Sequence, residues 1–155
     1  MRRFETRLAP LCEALNRHGA EYVVVGATAM QLWGTTRATR DVDLLIRATE
    51  ENAARVLEAL SELGEGLAGK WLAEEVASKP VTIIGDAPRV DLLTVAWSVR
   101  YEDAAPAARV FEVEGVEVPA ASIDHLIESK RTGRLQDEAD IQVLELIREL
   151  RGPEG

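Results

Sequence analysis

One cysteine in 155 residues is the plainest shortage in this sequence. Cys12 has no partner for an internal disulfide and no second thiol for a zinc site, so it reads as a small apolar residue on a helix. That usage suits a reducing cytoplasm. Histidine is almost as scarce. His18 and His125 stand alone, with no Ser or Cys nucleophile at a motif beside them, and neither is assigned to catalysis. No apolar run approaches the roughly eighteen residues of a membrane span. The opening "MRRFETRLAPLCEAL" carries Glu5 and Glu13 where a secretory signal would be apolar. Positive charge is also short: 18 Lys and Arg face 27 Asp and Glu, for a net charge of −9. A general DNA or RNA binder draws most of its affinity from phosphate neutralisation, so this balance argues against one. It leaves room for a small anion held by a local basic cluster.

What the chain does have is enough apolar content, 46%, for one globular domain spanning 1–155. Its core is placed at about 20–120, with a helical part at about 121–150. Leu8, Leu11, Cys12 and Leu15 recur at helical spacing between Phe4 and Arg17, with Gly19 as the stop. "EYVVVG" reads as a buried strand, "ATAMQLW" as a helix, "TTRATR" as a loop and "DVDLLI" as a second strand. Thr49 caps a helix whose apolar face is Ala53, Val56, Leu57, Leu60 and Leu63. A glycine-broken connector follows, with a short helix over 70–78. "VTIIG" and "RVDLLTV" form two strands joined across Gly85, Asp86 and Pro88, and "ARVFEVEGVEVPA" a hairpin turning at Glu114 and Gly115. Ser122 caps a helix to about Arg131, and a last helix covers about 137–150. This order predicts an α/β (α+β) fold, a mixed sheet flanked by helices.

Two carboxylates in the strand "DVDLLI" break the apolar pattern. Residues two apart on a strand share a face, so Asp41 and Asp43 project together. Burying unpaired carboxylates costs several kcal/mol or forces protonation, so a cation is expected beside them. Oxygen donors on a rigid strand suit Mg²⁺ or Mn²⁺. Asp91, set among Val90, Leu92 and Leu93, repeats the anomaly and supplies a third acid. Gly26 ends one strand and opens a helix, where free backbone N–H groups bind anions, and Thr28 could add a hydroxyl. Arg37, Arg40, Lys130 and Arg134 are four of the few cations, and several flank this region.

The stretch "VVVGATAMQLWGTTRATRDVDLLI" resembles the signature of the nucleotidyltransferase superfamily with the DNA polymerase β-like fold: an apolar strand, Gly with Gly or Ser, a spacer, then Asp-x-Asp or Asp-x-Glu. More narrowly, it is similar to small bacterial nucleotidyltransferases related to abortive-infection and toxin–antitoxin proteins. The Arg-x-Thr-x-Asp-x-Asp-Leu segment of that group is met here by Arg37, Thr39, Asp41, Asp43 and Leu44. "IDHLIESKRTGRLQDEADIQVLELI" resembles its C-terminal region. The resemblance implies that Asp41 and Asp43 ligate the metal and that Asp91 completes the site and orients or deprotonates the acceptor hydroxyl. Gly26, Ala27 and Thr28 would face the triphosphate, and Arg37 and Lys130 would neutralise it. The activity implied is transfer of a nucleoside monophosphate from an NTP to a hydroxyl of a protein, a tRNA end or a small molecule, with a cognate toxin or antitoxin as partner. Ala27 departs from the pattern, since Gly or Ser is usual there. It keeps open a member of the fold that has lost turnover and acts as an interaction protein.

The plainer readings are structural. Asp41 and Asp43 could pair only with Arg37 or Arg40. Lys130, with Arg131 and Arg134, could be a solvated helix end, where cations suit the dipole. Asp137 and Asp140 could orient Lys130 or Arg134 by ion pairing, and capping the last helix is the plainer account of Asp137. Trp33, Trp71 and Trp97 are expected as packing anchors rather than base-stacking platforms.

Overall fold

The computed structural model describes residues 2–35, 41–85 and 89–152, with side chains from residue 8. Its elements in order are α1 (Arg2–Arg17), β1 (Tyr22–Val25), α2 (Gly26–Trp33), β2 (Asp41–Ile46), α3 (Glu50–Leu60), α4 (Ala73–Ser78), β3 (Val81–Ile84), β4 (Arg89–Leu93), α5 (Tyr101–Ala104), β5 (Arg109–Val113), β6 (Val116–Ala120), α6 (Ile123–Ser129) and α7 (Leu135–Arg151). The strands form one mixed six-stranded sheet in the order β3-β4-β2-β1-β6-β5. Strands β1 and β2 pair antiparallel, β2 and β4 parallel, and β1 and β6 parallel, with antiparallel hairpins β3–β4 and β5–β6 at the two edges.

Strand register explains where the sheet can carry charge. Val24, Leu44 and Leu92 lie side by side on one face, with Ile46, Val42, Val90 and Ile84 around them, and all are buried. The same core takes Leu8, Leu11 and Leu15 of α1 and Val56 and Leu60 of α3, the apolar stripes read from the sequence. The other face is open toward its β3 edge: Val81 and Ile83, which pair with Leu93 and Asp91, are exposed. A half-open face flanked by a solid core is where carboxylates can sit on a rigid strand while still reaching water.

Local signals account for most boundaries. The Thr49 and Ser122 side chains accept from the backbone N–H groups of Asn52 and His125, as N-caps do. Glu114 and Gly115 both have positive φ, the requirement of a type I′ two-residue hairpin turn. Four expectations need correction. The predicted helix over 70–78 is a 3₁₀ turn at Leu67–Lys70 and then α4, because Trp71 and Leu72 are extended. The expected element order has no helix between β4 and β5, where α5 stands. Helix α6 stops at Ser129, leaving Lys130 as its C-cap. Helix α7 begins at Leu135, so Asp137 lies inside the first turn and Arg134 takes the cap position.

Candidate active site

Register brings the three acids together. Asp43 of β2 is the direct cross-strand partner of Asp91 of β4, and Asp41 is the partner of Arg89. Asp41 and Asp43, two residues apart, share that face. The crowding has an electrostatic signature: burial, then the neighbouring Asp91 and Asp41 carboxylates, push the Asp43 carboxyl from 3.8 up to about 6, with Lys130 and Arg89 pulling the other way.

Arg89 is a participant that sequence reasoning missed. Its Nε donates to Asp91 Oδ1 at 3.1 Å and stands 3.8 Å from Asp41 Oδ2. A guanidinium therefore bridges two of the three acids. Among the described residues, no three His, Cys, Asp or Glu side chains are gathered as a ready metal cage. The donor set nonetheless fits a hard divalent ion, with three carboxylates on one face whose mutual repulsion such an ion would relieve. The signal for Arg89 was present in "RVD", since alternation puts Arg89 and Asp91 on the same side.

Gly26 is required twice over. Its φ is +69, which favours glycine, and a Cβ there would overlap Asp43 Oδ2 and stand 3.2 Å from Asp43 Cβ. The chain leaves β1 directly beneath Asp43 and turns at once into α2. The N-cap of α2 is Val25, which offers no side-chain acceptor to the first-turn N–H groups. Ala27 stands in this first turn, its backbone donor intact. Thr28 is placed differently from expectation. It is buried, and its hydroxyl donates to the Asp41 carbonyl at 3.1 Å, so it braces the start of β2. Arg37, with Thr39 and Arg40, lies outside the described residues.

Lys130 approaches from α6. Its Nζ lies 3.0 Å from Asp140 and 3.8 Å from Asp137, and its side chain is only 13% exposed. Asp137 also accepts from Thr132 Oγ1 at 2.5 Å and from Arg134 Nε at 2.8 Å. The expected ion pairing of Lys130 and Arg134 with these two acids is what the side chains form, while among the described residues Asp137 accepts from side chains and from no helix-end backbone N–H. An open cleft of about 220 Å³ is lined by Gly26, Asp43, Lys130, Arg134 and Trp97, among others. Trp97 departs from expectation, being 60% exposed in the cleft wall, whereas Trp33 is buried with its Nε1 donating to the Ala121 carbonyl. A second hollow of about 200 Å³, between Trp33, Arg109 and Arg148, holds none of the predicted site residues.

A sequence profile described as nucleotidyl transferase AbiEii toxin, type IV toxin–antitoxin system, matches residues 11–145. The chain belongs to the AbiEii family. The match covers every acid, glycine and lysine of this AbiEii site, from β1 through most of α7. No curated protein matches the sequence. Among solved structures, the chain is similar to a crystal structure from Thermotoga maritima, TM1012, provisionally designated a nucleotidyltransferase. The TM-score is 0.58 with 16% identity, covering 96% of each chain. At that identity the likeness concerns the fold, and it agrees with the mixed sheet and helices of this AbiEii chain. Among the described residues, no helix is long and apolar enough to cross a membrane.

Proposed function

We propose that this AbiEii-family chain transfers a nucleoside monophosphate from an NTP to a hydroxyl of an acceptor, breaking the α–β phosphoanhydride bond and releasing pyrophosphate, with Mg²⁺ or Mn²⁺ held by Asp41, Asp43 and Asp91. The supporting observation is the register that sets Asp43 beside Asp91 and directly over the Gly26 turn. The cation, when bound, supplies neutralisation of the three acids and of charge developing on the phosphates. The chain's own groups do the positioning. First-turn N–H groups of α2, from Gly26 through Thr28, face the phosphates, and the loss of a hydroxyl at Ala27 leaves these backbone donors in place. Lys130 contributes positive charge from the lining of the same cleft, held in place by Asp140. Asp91 orients the acceptor hydroxyl and takes its proton. Holding the reactants in line accounts for most of the acceleration in phosphoryl-type transfer. Arg37 belongs to the same proposal as a phosphate ligand. The acceptor is a protein side chain, a tRNA end or a small molecule, the setting is cytoplasmic, and the family's toxin–antitoxin character implies a cognate antitoxin.

The test is incubation with Mg²⁺ or Mn²⁺ and α-labelled NTPs, with and without cell extract. Label should move to an acceptor, and Asp41→Asn and Asp43→Asn should each abolish the transfer. A second reading rests on Ala27 and on the absence of a ready carboxylate cage among the described residues: a member that keeps the fold as an interaction protein. It is supported if no NTP raises the melting temperature with either metal.

A further inference from the structure

Between β4 and α5 the chain makes a tight reversal. Ala96 and Val99 exchange backbone hydrogen bonds, Ala96 N–H to Val99 at 2.8 Å and Val99 N–H to Ala96 at 3.0 Å. Trp97 and Ser98 are the two central residues, and of these only Trp97 has a positive φ, +59. A two-residue turn with positive φ at its first central position is the type II′ pattern, which ordinarily takes glycine there. The chain has instead placed its bulkiest side chain at a position that strains any residue with a Cβ. That side chain stands largely outside the packed core, being 60% exposed.

Strain at a residue whose side chain is left in solvent has no stabilising return within the fold. Its surroundings supply a use. Trp97 lines the same cleft as Gly26, Asp43 and Lys130, with Leu93 and Ala96 as apolar neighbours. The Ser98 hydroxyl donates to Glu128 at 3.3 Å on α6, the helix that ends at Lys130. The turn and the lysine thus share one frame. One cleft therefore holds the Asp43 and Lys130 charges and an exposed indole together.

We propose that Trp97 is the stacking platform for the nucleobase of the NTP. The assignment rests on the nucleotidyl-transfer reading and adds a second anchor point to it. An indole face accepts any base, so Trp97 strengthens binding of all four NTPs and distinguishes little among them.

The test compares the wild-type chain with Trp97→Ala, Trp97→Phe and Trp97→Gly, titrating Mg²⁺ with ATP or with inorganic tripolyphosphate by calorimetry. Loss of stacking should weaken ATP binding by roughly 5- to 150-fold in the Ala and Gly variants. Phe should retain most of the affinity, and tripolyphosphate, which has no base, should bind all four proteins alike. Trp97→Gly should melt at or above the wild-type temperature, because glycine suits the turn, so weak ATP binding by that variant is not a folding defect. Unchanged ATP affinity in the Ala and Gly variants overturns the proposal, as does an equal loss of ATP and tripolyphosphate. Unchanged ATP affinity with weakened binding of a short single-stranded RNA also overturns it, and moves the platform to the acceptor. If the wild-type chain binds neither ATP nor tripolyphosphate, the nucleotidyl-transfer reading falls and takes this proposal with it. If Asp43→Asn weakens ATP binding and Trp97→Ala does not, only the stacking role is lost.

Discussion

Replacing Asp43 by Asn should stabilise the metal-free protein at alkaline pH and leave it unchanged in acid. The carboxyl of Asp43 is pushed up from 3.8 to about 6 by burial and by Asp91 and Asp41. A raised carboxyl pKa means that the folded state holds a proton the unfolded chain has released. The ionised form is therefore a burden on the fold, absent below about pH 4, growing through pH 4–6 and complete above that. A shift of this size corresponds to an order of 3 kcal/mol, and water reaching the open cleft lowers the realised value to about 1–3 kcal/mol. Asn keeps the shape and never ionises. In urea denaturation with EDTA, Asp43→Asn should exceed wild type by about 1–3 kcal/mol at pH 8 and match it near pH 4. Saturating Mg²⁺ at pH 8 should then raise wild type alone, by about 2.7 kcal/mol at a hundredfold excess over the dissociation constant. Wild type proving the more stable protein at pH 8 in EDTA, or a gap that stays constant down to pH 4, would refute the like-charge crowding on which the candidate site depends.

Gly26→Ala should lower stability by about 1–3 kcal/mol and eliminate label transfer, because it forces a Cβ into Asp43 as well as straining φ; thermal melts and the transfer assay read the two effects separately. Arg89→Gln should tighten Mg²⁺ binding, since it removes the guanidinium that now pairs with Asp91 and Asp41; calorimetry showing weaker binding would contradict that competition. Asp140→Asn leaves the largely covered Lys130 ammonium without its 3.0 Å partner. It should cost about 3 kcal/mol in denaturant unfolding, the scale of a broken buried pair.

The parts of this fold legible in the sequence are those set by local chemistry. Apolar spacing marked α1 and α3, β-branched runs marked the strands, and Thr49 and Ser122 announced their helices through a single hydroxyl each. Asp41 and Asp43 declared a shared face because alternation along one strand needs no knowledge of neighbours. What stayed hidden depends on pairs of segments. That Asp43 faces Asp91 is a matter of parallel register between strands some fifty residues apart. The engagement of Arg89 with both Asp91 and Asp41 follows from the same register. Trp97 was misjudged for a different reason: large aromatics are usually buried, and only the backbone φ and the exposed ring reveal that this one sits at a turn tip. Thr28 was misjudged because a hydroxyl at a helix start serves a phosphate or a nearby carbonyl equally well in sequence.

The site's charges are already spoken for before any ligand arrives. Arg89 is paired with Asp91 and Asp41, Lys130 with Asp140 and Asp137, and Arg134 with Asp137. A cleft built this way is not a basic pocket waiting for phosphate, which accords with the chain's net charge of −9. A free triphosphate meets carboxylates as well as cations there, and a free divalent ion meets Arg89 as well as Asp41 and Asp91. A metal–nucleotide pair meets neither obstacle in full, because its positive end suits the three acids and its negative end suits Arg89, which Asp91 and Asp41 would otherwise hold. On the proposed function, binding of that pair is an exchange of partners that conserves charge, so the two ligands should favour each other's entry by linkage. On the proposed function, selectivity for the paired form is expected from carboxylates and guanidinium sharing one sheet face.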